Sequence, residues 1–166
     1  MHPLDASFEF RPGRVEPTGT TAVFTCKPGD RYRNAIGPFG GWIAALLLKG
    51  VLCMPEARGA PLALDALFMG SIGDGDLEVR VSLLRQNRSV GFWRSEVWQA
   101  GRVCASAQVT MSMERQSVVL QDAHFPDVAG PDLARGGYVD QFTSVWSAAG
   151  SLLAQTQQML WFADAG

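Results

Sequence analysis

Residues 77–84 alternate. Leu77, Val79, Val81 and Leu83 stand against Glu78, Arg80 and Ser82, the period of a half-buried strand. After the polar turn Arg85-Gln86-Asn87-Arg88 a second strand is predicted over residues 89–99, and after the tight turn Ala100-Gly101 a third over 102–114. Three long consecutive strands with short turns make an antiparallel meander. Upstream, residues 61–72 form a strand-like run closed by the turn signal Gly73-Asp74-Gly75. Residues 20–26 (TTAVFTC), set between Gly19 and Pro28-Gly29, read as a first strand. Residues 41–53 differ in kind. Their length and Ala/Leu content predict a helix stopped by Pro55, and their only charge is Lys49. A helix apolar nearly all round is a buried one. Residues 1–19, with Pro3, Pro12 and Pro17, carry no periodic pattern and are expected to meander.

One fully apolar helix beside an antiparallel sheet implies an α+β fold in which the sheet wraps the helix, the hotdog architecture. The expected organisation is a hotdog domain over residues 1–117, with its core at about 20–114, a breaker-rich linker over 118–137 (Pro126, Gly130, Pro131, Gly136, Gly137) and a strand-like tail over 138–166. Trp93 and Trp98 are five residues apart, so a regular pleat puts them on opposite faces. At least one faces away from the helix, which predicts that another protomer covers the outer surface, in a homodimer or larger homo-oligomer.

Composition narrows the function classes. Of 166 residues 47% are hydrophobic, 18% are charged, and the net charge is −2. That is a globular composition, without overall electrostatic support for nucleic-acid binding. The longest apolar run, residues 42–48, is under half of the roughly 20 residues that a bilayer span needs. Cys26, Cys53 and Cys104 lack metal-ligand or disulfide spacing, and the start shows no signal-peptide pattern. A cytoplasmic protein with reduced thiols, no metal and no cofactor is expected.

The stretches FGGWIAALLLKGV, LALDALFMGSIGDG and LEVRVSLLRQNRSVGFWRSEVWQAGRVCASAQVTMS together resemble the first half of acyl-CoA thioesterase II-like proteins. The shared marks are Phe39-Gly40-Gly41 opening the helix, Leu67-Phe68 before a Gly turn, Arg85 followed by Arg88-Ser89, and Gln99 to Gly101 at the next turn. The family's Arg-Pro after the Leu-Phe strand is Gly70-Ser71 here. In that family two hotdogs share one chain. The tail resembles the linker and opening strand of the second hotdog, with Met159-Leu160-Trp161-Phe162 matching its aromatic strand. The family's catalytic Asp lies on the second half's helix, which these residues do not include. The resemblance implies binding or hydrolysis of fatty acyl-CoA thioesters.

Thioester hydrolysis needs a polarised carbonyl, an activated water or carboxylate, and a groove for the acyl chain. Backbone N–H groups at Gly40 and Gly41, at the positive end of the helix dipole, suit the carbonyl. The same glycines also serve simple close packing. Asn34 precedes them in N-x-x-G-x-x-G-G, loosely similar to single-hotdog thioesterases in which an Asn faces the thioester; otherwise it makes an Asx-type turn. Asp65 is the one acid in an apolar strand and shares a face with Leu67 and Met69. Buried, it is a candidate base or nucleophile; exposed, it is a solvated or paired acid. Arg85 and Arg88, with Ser89, flank a turn and suit CoA phosphates. Gln108 is a marginal candidate, in the strand pseudo-equivalent to one that supplies a catalytic Gln in the family. The competing readings are a non-catalytic acyl-CoA-binding or structural hotdog, and one half of a double-hotdog enzyme. Hydratase chemistry needs an Asp–His pair, and the only histidines, His2 and His124, fall outside the expected core.

Overall fold

The computed structural model describes residues 8–15, 19–34, 37–114, 138–147 and 152–161. The chain divides into two compact units, Met1–Arg115 and Gln116–Gly166. The first is built from β1 (Arg11–Val15), β2 (Thr21–Cys26), α1 (Gly40–Leu52), β3 (Ala60–Phe68), β4 (Leu77–Gln86), β5 (Val90–Gln99) and β6 (Arg102–Ser112). Its six strands form one antiparallel sheet in the order β1-β2-β4-β5-β6-β3. The meander β4-β5-β6 occupies the middle, α1 packs across it, and β3 closes the far edge beside β6. This is the α+β hotdog fold.

The core lies between α1 and the sheet. Trp42, Ile43, Leu46, Leu47 and Val51 of the helix bury against Val79, Val81, Trp93, Val97, Ala107, Val109 and Met111. Gly50 sets the closest approach: a Cβ there would stand 2.9 Å from methyl carbons of both Val79 and Val81. Along β5 the pleat is clean, with Trp93, Ser95 and Val97 inside and Arg94 outside. Trp93 is fully buried. Trp98 lies on the outer face, where the Arg80 guanidinium stacks over its ring at 3.9 Å and its Nε1–H donates to Glu96 Oε2 at 2.9 Å.

The sequence expectations shift in four places. The helix starts and ends one residue earlier than expected. It is one-sided rather than buried all round: Gly41, Lys49 and Leu52 are exposed, because a single sheet covers only one flank of a helix. β3 ends at Phe68, not at residue 72. The N–H groups of Met69 and Gly70 both donate to the Cys104 carbonyl, at 2.8 and 3.0 Å, which ends the ladder and lets Ile72 drop into the core. Residues 11–15 are a strand within a stretch expected to meander. A Cβ on Gly13 would fall 1.9 Å from the Val23 carbonyl oxygen, and the register slips between Pro12 and Val15. Proline and glycine are tolerated at such a bulged edge and mask its strand character in the sequence.

In the second unit β7 (Tyr138–Trp146) and β8 (Leu152–Trp161) pair antiparallel, Thr143 opposite Thr156, and Gln155 Nε2 donates to Ser144 Oγ at 3.3 Å. The expected linker over 118–137, His2, His124 and Phe162 lie outside the described residues.

Candidate active site

The start of α1 offers free donors. Phe39 is the N-cap residue and gives no side-chain cap; its own N–H donates to the Tyr32 carbonyl at 2.7 Å. The Phe39 carbonyl accepts from the N–H groups of Trp42 and Ile43, at 2.9 and 3.2 Å. The N–H groups of Gly40 and Gly41 have no partner among the described residues. Uncapped donors at the positive end of a helix are suited to a carbonyl oxygen gaining negative charge. No acid lies in the first turn, so nothing there competes for them. Two aromatic rings bracket the glycines. The Phe39 ring covers Gly41, where a Cβ would stand 2.5 Å from a ring carbon, and the Phe68 ring comes within 3.6 Å of the corresponding point on Gly40. Both are exposed, Phe39 by 60% and Phe68 by 52%.

Two loops wall this helix start. Asn34 Oδ1 accepts from the Gly37 N–H at 3.0 Å while the Asn34 N–H donates to the Gly37 carbonyl at 2.8 Å, a closed Asx-type turn just ahead of the helix. Gly37 is pressed against the Ile72 carbonyl, 2.7 Å from where a Cβ would sit, and Arg33 pairs with Asp74. The second loop is pinned by Gln99. Its Oε1 accepts from the Gly73 N–H at 2.8 Å, and its Nε2 donates to the Gly73 and Gly75 carbonyls at 3.3 and 3.0 Å. In the sequence Gln99 stands out only as part of a turn. Its partners lie 24 and 26 residues away, beyond any local signal.

The sequence candidates do not converge within one chain. Asn34, Gly40 and Gly41 gather at the sheet end where β3 finishes, Phe68 opposite Ala105. Arg85, near the end of β4, and Arg88 and Ser89, in the β4–β5 turn, lie at the other end, level with Met111. From Ala105 to Met111 the strand rise places the two groups about 20 Å apart. In the turn, Arg85 Nε donates to Asn87 Oδ1 at 3.1 Å, and the Ser89 carbonyl accepts from the Met113 N–H at 2.9 Å. Asp65 is exposed and stands directly opposite Gln108. It stands three positions before Phe68, whose ring reaches Gly40, so the pleat turns Asp65 to the face away from the helix. A base at this position needs burial to raise its affinity for a proton, and this chain alone leaves Asp65 in solvent.

Other chemistry is sparse among the described residues. No group of His, Cys, Asp or Glu side chains is arranged to hold a metal ion, and no helix is long and apolar enough to cross a membrane. All three cysteines are free. Burial, with Asp76 nearby, pushes the Cys26 thiol up to about 11, which leaves it protonated and a poor nucleophile at neutral pH.

Known structures share this fold. A hot dog fold protein of unknown function from Alicyclobacillus acidocaldarius matches with 26% identity and a TM-score of 0.65, over 86% of this chain and 56% of that one. A thioesterase from Haemophilus influenzae matches with 18% identity and a TM-score of 0.53, over 64% of this chain and 79% of that one. A mutant of the phenylacetic acid degradation protein PaaI from Thermus thermophilus matches with 19% identity and a TM-score of 0.57, over 68% and 99%. The chain thus spans little more than half the length of the Alicyclobacillus protein. No curated protein sequence matches it. Residues 29–112, about half of the chain and the stretch that holds the helix start, both walls and the β4–β5 turn, match the family described as acyl-CoA thioesterase N-terminal domain, and the chain belongs to that family.

Proposed function

We propose that the chain binds acyl-CoA thioesters with the carbonyl oxygen on the free N–H groups of Gly40 and Gly41, and that it promotes their hydrolysis. The observation that supports this most directly is the uncapped helix start, with two donors that have no partner among the described residues and no acid in the first turn. The donors favour the tetrahedral oxyanion that forms as water adds to the carbonyl carbon. The C–S bond then breaks, and the leaving thiolate takes the proton that the attacking water gives up. In this reading the carboxamide of Asn34 orients the water or the carbonyl, although it cannot itself accept the proton. Phe39 and Phe68 line the path of the acyl chain. Arg85, Arg88 and Ser89 take the CoA phosphates. The working form is a homo-oligomer in the cytoplasm, a compartment that suits three free cysteines.

One substitution tests the carbonyl site cleanly. Proline is well tolerated at the first helical position, and Phe39, at φ −59° and ψ 137°, already has the backbone that a following proline requires. Gly40→Pro removes one donor and keeps the helix. Thiol release from a panel of short to long acyl-CoAs is expected in the wild type and should fall about 100-fold or more in the variant. Equal rates in the two would rule out the helix start as the carbonyl site.

A second reading has its own support: α1 contains no carboxylate, and Asp65 faces away from it. In that reading the chain is a non-catalytic acyl-CoA-binding hotdog. A wild type that releases no thiol yet gains thermal stability from acyl-CoA would establish it.

A further inference from the structure

Residues 69–76 join β3 to β4 without regular structure, and a loop of that kind is ordinarily among the more mobile parts of a fold. In this chain it is held from another part of the sheet. Gln99 closes β5, and the turn that follows it is tight: Ala100 and Gly101 both have positive φ, at 49° and 75°, as a type I′ hairpin requires. The Gln99 side chain is thus mounted on a two-residue hairpin, the shortest strand connection. Its carboxamide meets Gly73 as a neighbouring strand would. Oε1 accepts from the Gly73 N–H at 2.8 Å, and Nε2 donates to the Gly73 carbonyl at 3.3 Å and to the Gly75 carbonyl at 3.0 Å. A carboxamide sets an acceptor and a donor side by side, as a peptide group does.

The held loop bears in turn on the segment that leads into α1. Ile72 drops its side chain into the core, and its carbonyl oxygen lies 2.7 Å from where a Cβ on Gly37 would sit. Asp74, between the two glycines that Gln99 grips, pairs with Arg33. Arg33 bridges to Pro38, Asn34 closes its turn onto Gly37, and the Phe39 N–H donates to the Tyr32 carbonyl at 2.7 Å. Residue 39 therefore takes its place from the loop side. The N–H groups of Gly40 and Gly41 follow it, since α1 has no side-chain cap of its own to set their direction. Donors of this kind are effective only when aimed at the point where charge develops, and a misplacement of about 1 Å can lower a rate about 100-fold. We infer that Gln99 is a positioning residue for the carbonyl site: it fixes the 73–75 loop, the loop fixes residues 32–39, and these set the aim of the Gly40 and Gly41 donors. This rests on the acyl-CoA reading above and adds the residue that sets the geometry of that site from outside it.

A double-mutant cycle with an NMR readout tests it. Gln99→Ala should lower kcat for thiol release by about tenfold or more with KM little changed, because the donors act on the transition state more than on bound substrate. In a Gly40→Pro background, where one of the two donors is already gone, the same substitution should lower kcat about threefold or less. Gln99→Glu keeps the length but turns the donor into a second acceptor facing two carbonyls, and should be impaired at least as much as Gln99→Ala. Gln99→Asn, which keeps the polarity and loses the reach, takes the place of Gln99→Ala if that variant does not fold. A merely structural role predicts the same factor in both backgrounds; that result, or full activity in Gln99→Glu, overturns the proposal. Amide NMR signals give a readout that needs no turnover. Those of Gly40 and Gly41 should move in Gln99→Ala, while those of Asn87 and Arg88, at the other end of the sheet, stay in place. Unmoved Gly40 and Gly41 signals overturn the proposal even where activity falls. If the wild type releases no thiol, hydrolysis has failed on its own account. The amide signals then decide alone: movement at Gly40 and Gly41 upholds the positioning role, and its absence overturns it.

Discussion

β5 and β3 are both rich in apolar residues, and the fold uses them in opposite ways. β5 sits in the middle of the sheet and alternates cleanly, with Trp93, Ser95 and Val97 sealed beneath α1. β3 sits at the edge, and apart from the half-buried Ala66 its residues are exposed on both faces. Apolar content alone therefore does not mark a core strand. In β5 it has become packing inside one chain; in β3 it remains available outside it. Side chains in the first case hold the fold, and in the second they are free to hold something else.

The sharpest test of this contrast is Trp93→Ala. Removing the largest fully buried side chain should cost about 3–5 kcal/mol, measured by denaturant unfolding. Gly50→Ala comes next. Its new methyl would press on Val79 and Val81 across the helix–sheet contact, and overpacking of this kind costs about 1–3 kcal/mol. On β3 the expectation is reversed: Leu67→Thr should change monomer stability by no more than about 0.5 kcal/mol when chains are kept dilute enough to stay apart. A loss there comparable to Trp93→Ala would erase the distinction between the two strands. The mildest contrast compares buried with exposed cysteine. Cys53 should react with a thiol reagent at pH 8, while Cys26 stays protonated and covered. Because the folded thiol sits at about 11 against an ordinary 9.0, its contribution to stability is complete below pH 9 and is lost as pH rises towards 11. Melting temperature followed across that window should fall less in Cys26→Ala.

Much of this was legible in the sequence, and the gaps have physical causes. The alternation of residues 77–84 and the stretch at 41–53, apolar but for Lys49, are local signals, and the meander and helix stand within two residues of where those signals put them. β3 lacks alternation: Leu62, Ala63, Leu64, Ala66 and Leu67 are apolar at both parities. Nothing in that run says which face meets the helix, so the side taken by Asp65 depends on pairing with β6, a contact set more than 40 residues away. The glycines at 40 and 41 could be read as a close-approach signal, but the rings lying over them could not. The separation of Asn34 from Arg85 is likewise invisible until strand order is known. Spacing along the chain does not encode the end of a sheet.

The chain order of α1 carries a cost during synthesis. The helix leaves the ribosome well before β4, β5 and β6, the strands that cover it. A segment of 13 residues is at best marginally helical by itself, and this one has a single charge to keep it in water. Until residue 112 has emerged it has no complete surface on which to settle. The nascent chain thus passes through an interval in which its most water-averse segment is also its least sheltered, an interval set by the rate of translation. Slower decoding between residues 52 and 112 would lengthen that interval, with no effect on the finished protein's stability.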